Sequence, residues 1–219
     1  MNPLELSPAQ ADDFIYSLRG RAAASVRLDA SAASSFYTWL ERRHAGIKNP
    51  FRGTKARPAE KAARETAIPE AGEVETILRE LPADLAAAVS VMAYRGLRAG
   101  ALPTLSIAGG KYIGRSKGKD IKGTMPAPVL ERIKAAALPL RSPFAGLLPN
   151  TLEHRIARAI EKLFKAGKVK AAYSCHDLRH FFAIAEYRKD NDLYRVQKLL
   201  NHASIAVTAR YLKGLGEIE

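Results

Sequence analysis

One cysteine, Cys175, stands in a chain of 219 residues. An internal disulfide is therefore excluded, a cysteine-ligated zinc cluster lacks ligands, and a reducing interior is the expected compartment. No uninterrupted apolar run reaches the ~18 residues of a membrane span, and the opening MNPLELSPAQADDF has neither the basic nor the apolar region of a secretory leader. The expectation is a soluble, cytoplasmic protein with no membrane partner. Aromatic residues are few, 7% against 47% hydrophobic residues in all, which suits a soluble chain that forms a core. Neither a glycine-rich phosphate loop nor an acidic cluster suited to Mg²⁺ occurs, so the sequence offers no site for ATP or a metal cofactor.

Acidic residues are also in deficit. Lys and Arg number 35 against 22 Asp and Glu, a formal charge of +13. A field of that sign attracts polyanions, and it is the usual electrostatic signature of nucleic-acid binding. An anionic membrane fits less well, because the cations are dispersed rather than lined along one amphipathic helix.

Periodicity and punctuation predict a mainly helical chain with one small antiparallel sheet, an α+β fold. Helices are expected over 8–18, with Ser7 as N-cap, and over 30–44, with Phe36, Trp39 and Leu40 on one side and Gly46 as the stop. Residues 47–69 hold three prolines and an excess of Lys and Arg, which is linker chemistry; a basic linker tends to follow a phosphate backbone. Its cations Lys48, Arg52, Lys55 and Arg57 are candidate DNA contacts. Further helices are expected over 70–81, 83–95, 127–137, 151–166, 176–189, 193–200 and 204–212. In the 151–166 segment Leu152, Ile156, Ile160, Leu163 and Phe164 keep a 3.6-residue period. Glycine-punctuated β-prone runs over 106–128 predict the sheet and a basic turn. The division is then 1–46, a short helical unit; 47–69, the linker; and 70–219, the larger domain.

Five polar islands interrupt the core pattern. They are YRGLRAG with Arg98, RSKGK with Lys117 and Lys119, HDLRH with His176, Arg179 and His180, LLNH with His202, and ARYL with Tyr211. Each alone has a structural explanation: a helix-terminal cation, solvated turn lysines, a capping histidine, a packed tyrosine. His176 and His180, at i and i+4, also raise the possibility of a metal pair. Zinc proteases place Glu after the first histidine, whereas Asp177 stands here and no third ligand is evident.

Taken in order, the islands read G-L-R-x-x-x-L, K-G-K in a turn, H-x-L-R-H, then L-L-x-H-x8-Y. That series resembles the tyrosine recombinase (phage integrase) family across 70–212, and SAASSFYTWLERRHAGIKNPFRG (31–53) resembles the end of its helical core-binding domain. The resemblance implies a recombinase-like catalytic domain behind a shortened DNA-binding unit, assembling as a dimer or tetramer on double-stranded DNA at a specific site, in association with the nucleoid. It makes Arg98 and Arg179 a phosphate clamp flanked by His176 and His202. Lys117 becomes the general acid, with Lys119 as its alternative and otherwise a DNA contact, and Tyr211 the nucleophile. The implied reaction passes through a 3′-phosphotyrosine and needs neither metal nor ATP. His180 is expected to pack. Ala101 departs from the pattern, since an acidic residue usually stands three positions after the first arginine. Two alternatives share the fold: a DNA-binding protein that does not cut, and a relaxing enzyme of the type IB topoisomerase kind.

Overall fold

A computed structural model describes residues 5–18, 20, 21, 23–53, 67–213 and 216, with the backbone alone at 23, 24, 210 and 211. The chain divides into two compact units, Met1–Arg64 and Glu65–Glu219.

In the first unit, α1 (Pro8–Ser17) begins at a capping box: the Ser7 hydroxyl accepts from the Gln10 N–H, and the Gln10 side chain accepts from the Ser7 N–H. Helix α2 (Ala23–Arg43) packs Tyr37 and Leu40 against Ala11 and Phe51. Phe51 reaches that core because Asn49 folds the chain back. Its amide donates to the Ser34 carbonyl and the Thr38 hydroxyl, both at 2.9 Å, and its carbonyl accepts from the Phe51 N–H at 2.9 Å. One expectation changes here: the helix starts seven residues before position 30. Of Phe36, Trp39 and Leu40, only Leu40 is buried, and the two aromatic rings lie about half exposed. Phe36 stacks on Trp39 instead, and Arg43 lies over the Trp39 ring at 4.7 Å.

The second unit is built around α4 (Ala83–Arg95). Alanine and valine line it on almost every side, so neighbouring helices approach closely and nearly all of it is buried. Around it lie α3 (Ala71–Glu80), α5 (Ala127–Ala135), α6 (Pro149–Lys165) and α7 (Cys175–Tyr187). The sheet is antiparallel in the order β1 (Ser106–Ala108), β2 (Lys111–Ser116), β3 (Lys119–Thr124). Its inward residues Ile107, Tyr112 and Ile121 join the same core. Helices α8 (Leu193–Leu200) and α9 (Ile205–Lys213) pack Val196, Leu200 and Leu212 with Phe182, Ala183 and Ile184 of α7 in a second cluster. A 3-10 helix over Ala99–Thr104, absent from the sequence expectation, joins α4 to the sheet. Phe164, counted with the buried stripe of α6, is exposed; the other four of that stripe are buried.

Gly96 ends α4 in the left-handed region, φ 67°, and a Cβ there would lie 2.2 Å from a ring carbon of Phe182. Gly96→Ala is therefore expected to combine backbone strain with overpacking and to cost roughly 2–5 kcal/mol of stability. Denaturant unfolding measures it; a wild-type midpoint would contradict the close packing of α7 on this turn.

Candidate active site

Helix α7 sets the centre of the site. Its N-cap is Ser174, whose hydroxyl accepts from the Asp177 N–H at 3.3 Å, while the Asp177 carboxylate accepts from the Ser174 N–H and O–H at 2.7 Å. Asp177 is thus committed to the cap. Among the described residues no group of three or more His, Cys, Asp or Glu is placed to hold a metal ion. His176 lies in the first turn of α7, the end of a helix that favours an anion. His180 stacks edge-on against it at 4.6 Å and is buried, with Phe182 behind it in the core.

Arg179, one turn on, is 2% exposed. One guanidinium nitrogen donates to the Gly96 carbonyl and the other to the Leu200 carbonyl at 2.7 Å, so this side chain joins the end of α4 to the end of α8. The second nitrogen also lies 3.4 Å from Nε2 of His202. Arginine only donates, so Nε2 accepts there, and the neutral His202 ring carries its proton on Nδ1, which donates to the buried Thr208 hydroxyl at 2.9 Å. Thr208 is on α9, so one histidine ties α8 to the helix that carries Tyr211.

Arg98, Lys117, His176 and Arg179 line one cleft of about 510 Å³. Arg98 arrives there because Gly96 turns the chain out of α4 before the 3-10 helix. Lys117 arrives through the β2–β3 hairpin, whose two-residue turn is Lys117–Gly118 with φ of 49° and 75°. Such a turn favours Asn-Gly, and a lysine in the left-handed region costs about 1–2 kcal/mol. Lys119 begins β3, is exposed, and is not among the cleft residues. The backbone of Tyr211 lies in α9 beside the buried Leu212, and its side chain lies outside the described residues. Lys48 and Arg52 are exposed in the first unit, Arg52 paired with Glu41 at 2.6 Å; Lys55 and Arg57 lie outside the described residues.

Among the cleft residues that escaped the sequence expectation are three polar ones of α6, Asn150, Glu153 and His154. Their only sequence signal is that they fall beside the buried Leu152–Ile156–Ile160 stripe. Cys175 also lines the cleft, but burial first, then Glu153, push its thiol up to about 12, which disfavours the thiolate at neutral pH. The first unit has its own hollow of about 500 Å³ between Leu6, Phe14, Tyr37 and Phe51, with no cation among the described residues that line it.

Burial lowers the pKa of all three histidines, and nearby cations add to it. His202 falls to about 4 through burial, then Arg179, Arg98, His176 and Lys117; His176 falls through burial, Arg179, Arg98 and Lys117, with Asp177 opposing. His180 falls to about 4 through burial and His176, again against Asp177. The folded protein thus holds them neutral where the unfolded chain, at about 6.5, takes up protons. For His180 and His202 this contribution to stability is complete above pH ~6.5 and is lost as pH falls towards about 4, and His176 acts in the same direction. Melting temperature is expected to drop over that interval, before most carboxylates titrate. A flat profile from pH 7 to 4.5 would contradict the burial of these rings.

The phage integrase family model matches residues 146–215. Tyrosine recombinase XerC of Escherichia coli (strain K12 / DH10B) is 31% identical over 218 residues, covering 88% of this chain and 70% of that protein. Among solved structures, a lambda integrase dimer bound to a COC′ core site superposes with a TM-score of 0.71 at 20% identity, over 99% of this chain and 67% of that one. XerH recombinase bound to difH before cleavage gives 0.62 at 18%, over 98% and 70%. No helix among the described residues is long and apolar enough to cross a membrane.

Proposed function

The chain belongs to the phage integrase family of tyrosine recombinases, and we propose that it cuts and rejoins duplex DNA at a specific site through Tyr211. The observation that carries the assignment of roles is the convergence of Arg98, Lys117, His176 and Arg179 on one cleft, with His202 against Arg179. A phosphodiester carries one negative charge and gains a second in its pentacoordinate transition state. The guanidinium groups of Arg98 and Arg179 supply positive charge and N–H donors to meet it.

The Tyr211 oxygen attacks phosphorus, a P–O bond to Tyr211 forms, and the bond to the 5′ oxygen breaks. The products are a 3′-phosphotyrosine and a free 5′-hydroxyl. A phenol with pKa ~10 must lose its proton on attack, and neutral His176 is suited to take it. The 5′ oxygen must gain one, and Lys117 supplies it. Holding a lysine at a strained turn position facing the cleft, with Lys119 outside the lining, favours Lys117 as that acid. His202 stabilises a phosphate oxygen after gaining a proton or exchanging tautomer, since Nε2 now accepts from Arg179. The phosphotyrosine conserves the bond energy, so rejoining needs no nucleotide.

Residues 1–46 we take as a short DNA-binding unit and 47–69 as a basic linker along the backbone, with Lys48, Arg52, Lys55, Arg57 and Lys119 touching phosphates. A dimer or tetramer on DNA, in the cytoplasm and with the nucleoid, completes the proposal. A nicked suicide substrate tests it: wild-type protein and cognate site, without divalent metal, are expected to give a covalent adduct in a denaturing gel. Tight binding with no adduct would leave only the non-cutting alternative.

A further inference from the structure

We infer that Arg95 is a positioning residue, setting the α8–α9 pair that carries His202 and Tyr211 against the hairpin that carries Lys117. The inference rests on the strand-transfer reading above. Arg95 is the last residue of α4 and does not line the cleft. It is nonetheless 8% exposed, and a buried guanidinium is costly unless its donors and charge are met. Three elements meet it. One nitrogen donates to the Leu199 carbonyl at 3.2 Å, the carbonyl next to the one Arg179 holds. The guanidinium carbon lies 5.1 Å from the centre of the Tyr112 ring on β2. Gly123 of β3, paired with Tyr112 in register, gives it room: a Cβ there would lie 2.7 Å from Arg95 Nη2 and 2.9 Å from the Tyr112 hydroxyl.

Each of these elements leads to a residue of the site. Arg98 follows Arg95 by three positions, Lys117 sits at the tip of the hairpin that Tyr112 and Gly123 belong to, and His202 follows Leu199 by three. Two guanidinium groups on consecutive carbonyls brace the negative end of α8. Arg179 does so from inside the cleft and Arg95 from behind it. Arg95 also touches the sheet, so it holds the general acid and the nucleophile-bearing segment in one frame. The Tyr112 hydroxyl makes no hydrogen bond among the described residues, which leaves the stacking of ring on guanidinium as the contact that joins hairpin to arginine.

The test uses the full chain with Arg95→Met, Arg95→Lys and Gly123→Ala, the last keeping both side chains while crowding their contact. Adduct formation at saturating suicide substrate, DNA affinity and melting temperature are measured together. In Arg95→Met the adduct rate is expected to fall by about 30- to 100-fold, as for a misplacement of about 1 Å, with DNA affinity within about threefold of wild type. Arg95→Lys should recover part of the rate, and Gly123→Ala should lose about tenfold. If Arg95→Met does not fold, the other two variants decide. Wild-type rates in the folded variants, or losses that only follow binding or melting, overturn the inference while the strand-transfer reading stands. Wild-type protein without an adduct overturns both.

Discussion

Arg179→Ala is expected to remove strand cleavage, by about 10³-fold or more, and to lower stability by about 2–4 kcal/mol. The two losses have separate origins. The guanidinium satisfies the Gly96 and Leu200 carbonyls in a buried setting, and deleting it leaves both without that donor. The same group lines the cleft, where the proposed reaction would place the phosphate. Arg179→Lys separates the effects. It keeps a charge but loses the planar fork, so it should regain more stability than cleavage. Unfolding midpoints and single-turnover cleavage are the measurements. Equal recovery of both quantities would make Arg179 a strut alone.

Lys117→Ala is expected to slow cleavage by about 10²–10⁴-fold, the usual worth of a general acid. Lys119→Ala, whose side chain is outside the cleft lining, should cost less than about tenfold, in the range of a lost phosphate contact. Chemistry offers a sharper contrast. A substrate with sulfur at the 5′ bridging position leaves as a thiolate, which needs no proton, so it should restore Lys117→Ala towards the wild-type rate. Rescue of Lys119→Ala with no rescue of Lys117→Ala would reassign the acid.

The elements set by local chemistry were readable in the sequence. Asp192 and Asn201 bracket α8 because the first caps it, accepting from the Tyr194 and Arg195 N–H groups, and the second adopts a left-handed stop. Ser7 caps α1 for the same local reason. Tertiary context overrode the rest. Phe36 and Trp39 share a helix with Leu40, but the core of that unit is reached by Tyr37 and Leu40. Nothing near Arg95 in the chain announces that it is buried, because its partners lie 17 and 104 residues away. The order of the candidate residues could be set against a family pattern, since motif spacing survives in one dimension. Their geometry was not readable: the clasp of Arg179 on two carbonyls and the hold of Thr208 on His202 both depend on how α4, α8 and α9 meet. The sequence ranked Lys117 ahead of Lys119; the hairpin register adds that Lys117 stands at the turn and Lys119 begins β3.

One tyrosine, Tyr211, is expected to become joined to DNA. The direct measurement is mass spectrometry of the peptide linked to a suicide substrate, in a chain that holds eight tyrosines. The expected result is a phosphodinucleotide-modified peptide containing Tyr211, absent from Tyr211→Phe even though that variant still binds the site. An adduct on another residue, or one that persists in Tyr211→Phe, would contradict the account.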